Sequence, residues 1–332
     1  MTLSIEWPCV ALANSPLAKR TTLKVGGSAE WLLEPSTPDE LREAYLVAKE
    51  HKLEIRVLGG GANLIIDDGV LPGVVISTER VRRTFRPLDP GEVIHPDDMT
   101  EEQANKLFDI EAPAIAVNDP RLIVWAGASL PGLVRAASLL GWSGLEGLIG
   151  VPGTLGGGIA MNAGGRWGEL WDVVDMVRIL RPDGEFEDIQ RADANPGYRN
   201  GGLGECIVVG AVLRLTLDNK HRVAARQREY LLEKCKVQPV TESSAGCIFK
   251  NPGGPKAGGE NSGEISAGRL IDELGLKGLE RGAAAVSKLH GNFIVNRGGA
   301  TATDVFGLIS EIQSRVQEAR NIELEIEVKR WR

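Results

Sequence analysis

Gly150-Val151-Pro152-Gly153-Thr154-Leu155-Gly156-Gly157-Gly158-Ile159-Ala160-Met161-Asn162-Ala163-Gly164 is the stretch on which the fold turns. Its glycine density exceeds what tight turns require. Clustered glycine removes Cβ atoms where backbone must approach something bulky, and loops carried on a rigid scaffold are where ligands are held. The stretch is read as a loop that closes over a diphosphate or an isoalloxazine ring.

A second glycine loop lies upstream, in Leu58-Gly59-Gly60-Gly61-Ala62-Asn63-Leu64. Successive backbone N–H groups there can face a pyrophosphate, and Asn63 can hydrogen-bond it. It is not the dinucleotide fingerprint, because Leu64 occupies the third glycine position. It is not a P-loop either, since no Gly-Lys-Ser/Thr follows. Taken alone, a tight β-turn explains it equally well.

The segments flanking these loops give an α+β pattern. Thr37-Pro38-Asp39-Glu40 predicts a capping box with proline at the first helical position, opening a helix to about His51. Strands are expected at Glu54–Leu58, Asn63–Ile66 and Val74–Ile76, separated by turns at Asp67-Asp68-Gly69 and Pro72-Gly73. Further on, Leu122–Ala128 is extended, Ser129 caps a helix that Gly141 stops, and strands cover Val173–Leu180 and Ile207–Leu217. The polar stretch Asp218–Arg228 marks a domain boundary. Beyond it are expected helices at Arg226–Lys234, Ser266–Leu274 and Ala302–Arg320, and strands at Asn292–Asn296 and Ile322–Val328. Residues 87–119 carry nine carboxylates and one lysine and are read as an acidic surface insertion, with a short helix capped by Thr100 and Gln103. The division is 1–85, 86–217 and 218–332.

Composition excludes several classes. The 332 residues carry a formal net charge of −7, opposite to the basic footprint of nucleic-acid binders. No apolar run approaches the ~20 residues needed to span a bilayer, and the N-terminus lacks the pattern of a signal peptide. A cytoplasmic protein without membrane insertion is expected. The four cysteines and four histidines are scattered, with neither C-x-x-C nor H-E-x-x-H spacing, so neither metal nor disulfide framework is expected.

Two motifs remain. Ser244-Ala245-Gly246-Cys247-Ile248-Phe249-Lys250-Asn251-Pro252 sets a thiol between glycine and an apolar pair, followed by a cation and an amide. A strand end with a buried thiol accounts for it on residue chemistry alone. In Glu323-Leu324-Glu325-Ile326-Glu327-Val328, a strand would put the glutamates on one face and the aliphatics on the other. A solvated face accounts for that.

Together, the two glycine loops, Tyr198-Arg199, SAGCIFKNP, AGRLIDELGLKG, HGNFIVNRGGAT and the closing LEIEV resemble the UDP-N-acetylenolpyruvoylglucosamine reductase family, in the family's order from about Asn14 to Val328. The resemblance implies an FAD-binding fold of the vanillyl-alcohol-oxidase (PCMH) type in two subdomains, followed by a substrate-binding C-terminal domain. It implies FAD held by Gly59, Gly60, Gly61, Ala62, Asn63 and Leu64, and by Gly150, Pro152, Gly153, Thr154, Gly157, Gly158, Asn162, Ala163 and Gly164. No histidine lies in or beside these loops, so the flavin is expected to be non-covalent. NADPH is the implied hydride donor and a UDP-sugar the substrate; no obligate protein partner is inferred. Arg199 and Glu327 are the implied stabilisers of enolate charge and Cys247 the implied proton donor, with Tyr198, Lys250 and Asn251 contacting substrate. The family carries serine at the Cys247 position, and this chain departs from it. The short spacing from Arg199 to Cys247 resembles the family's smaller subtype. Two rivals stay open: another non-covalent FAD oxidoreductase on the same cradle, and a catalytically silent flavin or nucleotide-sugar binder.

Overall fold

A computed structural model describes residues 5–85, 120–252 and 266–332. The expected acidic insertion and its capped helix lie outside the described residues. The chain divides into two compact units. One gathers residues 1–12, 32–60 and 74–231, the other 13–31, 61–73 and 232–332.

The first unit is built on an antiparallel sheet. Its five strands run in the order Phe186–Gln190, Val174–Leu180, Ile207–Arg214, Arg121–Trp125 and Thr84–Phe85. The Arg121–Trp125 and Ile207–Arg214 strands are buried almost throughout, which is why they read as continuous apolar runs rather than alternating ones. Helices Leu130–Leu140 and Leu155–Ala160 share a core with them, through Leu133, Val134, Leu155, Ile159, Val208 and Leu213. The Ser129 Oγ accepts from Gly132 N–H at 3.1 Å, and Gly141 ends the helix at φ +72°. Helix Pro38–Glu50 begins at Thr37, whose hydroxyl accepts from the Glu40 N–H. The expected return bond from Glu40 to Thr37 is replaced: the carboxylate reaches one residue further, to the N–H (2.7 Å) and hydroxyl (2.8 Å) of Ser36. Strand Ile55–Leu58 follows and pairs in parallel with Val74 to Ser77.

The second unit holds a four-stranded antiparallel sheet in the order Ser244–Cys247, Phe293–Asn296, Ala284–Val286 and Glu280–Arg281. The helix Ala302–Arg320 buries Val305, Leu308, Ile309, Ile312 and Val316, a helical stripe that joins Phe249, Leu270, Ile271 and Leu324 in one core. Truncating any one of the stripe's leucines or isoleucines to alanine removes about 2–5 kcal/mol. Thr301 and Asp304 cap this helix reciprocally, and Asn321 closes it at φ +53°. Strand Lys329–Trp331 pairs in parallel with Leu64–Ile66, which draws residues 61–73 into this unit.

Three expected elements differ. The Pro72-Gly73 turn is instead part of one strand, Val70–Ser77, in which Gly73 takes φ +81° and gives its N–H to the Glu30 carboxylate at 2.7 Å. The helix over Arg226–Lys234 is longer, Lys220–Val237. Within the first unit, Arg226 is tied to Glu146 (2.5 Å) and Asp218 (2.6 Å). Finally, Ile322–Val328 is not a regular strand: its ladder is an isolated bridge at Ile326, and the strand proper starts at Lys329. The alternation survives, with Leu324 and Val328 buried and Glu323 and Glu325 exposed.

Candidate active site

In the first unit the deciding glycines form a cradle. A Cβ on Gly60 would lie 2.6 Å from the Cα of Gly153, and one on Gly59 would lie 2.7 Å from the hydroxyl of Thr154. Both are below any real Cβ contact, so the two loops meet backbone to backbone only because neither residue has a side chain. Gly150 and Gly153 take φ +75° and +111°, a region L side chains avoid. Gly157 is exposed, and a Cβ there would meet only the Thr154 hydroxyl, at 3.7 Å. That hydroxyl is buried with no hydrogen-bond partner. An orphaned buried hydroxyl at the edge of a Cβ-free cradle fits an oxygen-rich group such as a diphosphate, which would satisfy it. Gly158 is closed off by Leu130 and Leu170, while Gly164 would clash with Glu169, so these two serve packing. Pro152 is exposed beside the cradle.

The base of this loop is fixed electrostatically. Glu146, in the short turn Glu146–Leu148 that leads into Gly150, accepts from Ser143 Oγ (2.9 Å), Gly144 N–H (2.5 Å) and Arg226 Nε (3.0 Å). Burial pushes its pKa up, but the bonds from Gly144, Arg226 and Ser143 hold it below the usual carboxylate range.

The Tyr198-Arg199 pair sits at the tip of a tight turn. Gly197 and Asn200 exchange backbone hydrogen bonds across it at 2.8 and 3.2 Å, and Arg199 has φ +54°. The Arg199 guanidinium lies over the Tyr198 ring, 4.9 Å from its centre. Gly201 N–H donates to Ala160 O at 2.9 Å, joining this turn to the end of the glycine-rich helix. Asn162 and Ala163 lie at the same junction. The Asn162 side chain is 3% exposed and engaged within the protein, whereas Ala163 bonds to Gly158 and Leu170 through its backbone.

In the second unit, segments distant in sequence are drawn side by side. Glu327 N–H donates to Ile248 O, and Lys250 N–H to Glu325 O, each at 2.8 Å, around the Phe249–Ile326 bridge. Cys247 and Glu327 thus come from neighbouring segments joined by backbone hydrogen bonds. The register of Ser244–Cys247 against Phe293–Asn296 shifts between Ser244 and Cys247, and Gly246 supplies the φ +80° that this bulge requires. On the other side of Glu327, Lys329 N–H donates to Asn63 O at 3.1 Å, and the Asn63 amide lies 3.5 Å from Glu327 O. Gly61, at φ +57°, packs on the backbone of Arg20 and Thr21, and its carbonyl accepts from Thr22 N–H. Ala62 lies between it and Asn63, and Leu64 is buried. The Lys250 ammonium pairs with the exposed Glu325 carboxylate, and Asn251 Oδ1 accepts from Ala267 N–H at 3.1 Å.

Four contributors escaped the sequence reading. Asn292, 4% exposed, grips Phe249 on both sides: its Oδ1 accepts from Phe249 N–H (2.9 Å) and its Nδ2 donates to Phe249 O (2.8 Å). Its own N–H donates to His290 Nδ1, a neutral acceptor whose pKa burial lowers. Thr22 Oγ1 donates to Ser244 O at 2.6 Å, and Glu169 binds the Asn162 amide. An asparagine in a glycine-rich run carries no sequence signal that it will be buried.

With this geometry in view, comparison with known proteins is direct. A family model described as an FAD binding domain matches residues 29–96 and 102–190, and one described as the UDP-N-acetylenolpyruvoylglucosamine reductase C-terminal domain matches 238–331. A UDP-N-acetylenolpyruvoylglucosamine reductase of Deinococcus radiodurans is 40% identical, covering 95% of this chain and 94% of its own. One from Nostoc punctiforme is 36% identical over 97% and 86% respectively. The crystal structure of the Thermus caldophilus reductase, at 36% identity, covers 97% of this chain and 98% of its own with a TM-score of 0.70.

Proposed function

The chain belongs to the UDP-N-acetylenolpyruvoylglucosamine reductase family, and from that premise we propose how its residues divide the work. It is an FAD-dependent oxidoreductase of peptidoglycan precursor synthesis that reduces the enolpyruvyl ether of UDP-N-acetylglucosamine to UDP-N-acetylmuramate with electrons from NADPH. Among the described residues no helix is long and apolar enough to cross a membrane, and we assign the reaction to the cytoplasm, with NADPH and the UDP-sugar as its ligands.

FAD, when bound, supplies the hydride relay from NADPH to the terminal vinyl carbon of the substrate. The cradle of Gly59, Gly60, Gly153 and Gly157 admits it, and the Thr154 hydroxyl gains the partner it otherwise lacks. The FAD-binding family match over residues 29–96 includes Gly61, Ala62, Asn63 and Leu64, and we assign them to the same cofactor. Binding is non-covalent.

As hydride arrives at the vinyl carbon, negative charge develops on the substrate's neighbouring carbon and carboxylate. Arg199 stabilises it as a cation, and Glu327 as a hydrogen-bonding carboxyl; such groups act most strongly where charge appears in the transition state. The Cys247 thiol gives its proton to the adjacent carbon as general acid. Tyr198 contacts the substrate beside Arg199, while Lys250 and Asn251 hold its anionic and amide groups.

One observation carries this reading: the backbone pairing that sets Glu327 beside the Cys247 strand, through its 2.8 Å bond to Ile248. A silent flavin binder has no use for pairing the Cys247 and Glu327 segments, so distant in sequence, backbone to backbone. The test is NADPH oxidation by purified protein, with and without the enolpyruvyl sugar nucleotide. Substrate-dependent oxidation yielding UDP-N-acetylmuramate is expected; oxidation driven equally well by oxygen alone would favour an oxidase.

A further inference from the structure

We propose that Asn162 is a positioning residue for Arg199, acting through the carbonyl of Gly197. This rests on the role given to Arg199 above. Asn162 is 3% exposed, and its side-chain amide binds two separate segments of the first unit. Its Nδ2 donates to Gly197 O at 3.1 Å and to Glu169 Oε2 at 2.7 Å, while its Oδ1 accepts from Trp171 N–H at 3.4 Å. Both amide protons and the carbonyl are therefore spent inside the protein. That leaves the side chain no donor for a cofactor.

Gly197 is the residue that needs holding. It opens the turn Gly197-Tyr198-Arg199-Asn200, in which Arg199 adopts φ +54°. A left-handed arginine is strained backbone that surrounding contacts must offset. The Gly197–Asn200 backbone pair and the Asn200 side chain, which accepts from Gly202 N–H at 2.9 Å, fix the turn internally. They do not fix it to the rest of the unit. Gly201 N–H on Ala160 O at one end and Asn162 on Gly197 O at the other tie it to the surrounding unit. Asn162 is itself left-handed, at φ +43°, a conformation asparagine tolerates better than most residues. Glu169 orients the amide from behind: its carboxylate accepts from Asn162 while its backbone N–H is capped by Asp172 at 2.7 Å. The arrangement locks the turn from a buried point, so the guanidinium is delivered without a search over turn conformations.

A double-mutant cycle of Asn162→Gly and Arg199→Ala tests this, with flavin content measured first and the two half-reactions followed separately by stopped flow. Glycine keeps the left-handed backbone and removes only the amide. Substrate reduction by Asn162→Gly is expected to fall roughly tenfold to a hundredfold, because small misplacements of a reacting group cost that much, and to fall further than flavin reduction by NADPH. On the Arg199→Ala background the same change should add less than about twofold, since residues acting as a unit are not additive. Multiplying losses would overturn the positioning role while leaving Arg199 as the enolate's cation. An unimpaired Arg199→Ala would instead remove the role of Arg199, and the proposal with it. Should Asn162→Gly lose its flavin, Asn162→Asp combined with Glu169→Gln decides. It restores a hydrogen bond between the two positions but leaves Gly197 O facing a carboxylate oxygen. Persistently slow substrate reduction supports the clamp, and wild-type rates contradict it.

Discussion

The glycine cradle of the first unit and the strand pair of the second are built on opposite principles. Around Gly60 and Gly153 the surface is defined by what is missing: absent Cβ atoms allow two backbones within contact distance, and the buried Thr154 hydroxyl waits for a partner. Around Cys247 and Glu327 it is defined by what is present, ionisable side chains held at the ends of hydrogen-bonded backbone. The first arrangement binds by shape and oriented dipoles and has little to titrate. The second offers a proton and a carboxyl, and so can do chemistry. Damage to the cradle should therefore remove the cofactor, whereas damage to the strand pair should leave a coloured protein that stalls.

The largest effect is expected at Gly60. A methyl group there meets the Gly153 backbone at 2.6 Å, with no flexible side chain to yield. Gly60→Val should purify without flavin, read as loss of its visible absorbance, and reconstitution with excess FAD should fail. Full flavin occupancy would show that the two loops need not touch.

Next in size is the contrast between two glutamates on one segment. Glu327→Gln should slow substrate reduction on the order of a hundredfold, with flavin reduction by NADPH nearly intact. Glu325→Gln breaks only an exposed pair with Lys250, and such pairs contribute about 0–1 kcal/mol. Its substrate-reduction rate should stay within about threefold, the loss coming only through Lys250. Equal defects in both would dissolve the distinction between them.

Smallest, and confined to stability, is Arg226→Ala. It strands the buried Glu146 carboxylate at the root of the cradle, at a cost of about 2 kcal/mol in chemical denaturation near neutral pH. Because the folded-state pKa of Glu146 is depressed, its contribution is present above the unfolded value and fades as pH falls through the folded one. The gap between wild type and variant should therefore narrow in acid. A gap that is constant with pH would mean that the carboxylate is not the group losing its partner.

How much of this was legible in the sequence follows the same contrast. The glycine loops announced themselves because missing side chains are visible in a string of letters, and so did the caps at Thr37 and Ser129, whose partners lie within a few residues. What depends on distant partners was not legible. Ile322–Val328 had the alternation of a strand, but whether a ladder forms depends on what lies alongside, and among the described residues only Phe249 bridges it. Nor could chain order show that residues 13–31 and 61–73 group with the C-terminal third, since the tie is the parallel pairing of Leu64–Ile66 with Lys329–Trp331. Asn162 and Asn292 were opaque for another reason: an amide becomes a clamp only once it is buried among carbonyls.

The residue at which this chain leaves its family's pattern is the most direct place to test the chemistry. A thiol, with a reference pKa of about 8.5, can replace a hydroxyl as proton donor, and glycine at 246 fixes the bulge that presents it. Cys247→Ala and Cys247→Ser, each loaded with FAD and reduced by NADPH, should be mixed with the enolpyruvyl sugar nucleotide while flavin reoxidation and UDP-N-acetylmuramate are followed. With Cys247→Ala the flavin should stay reduced, product forming on the order of a hundredfold or more slowly, and Cys247→Ser should recover substantial turnover. Product formation by Cys247→Ala at the wild-type rate would contradict the assignment, leaving the thiol a packing residue and the proton to come from elsewhere.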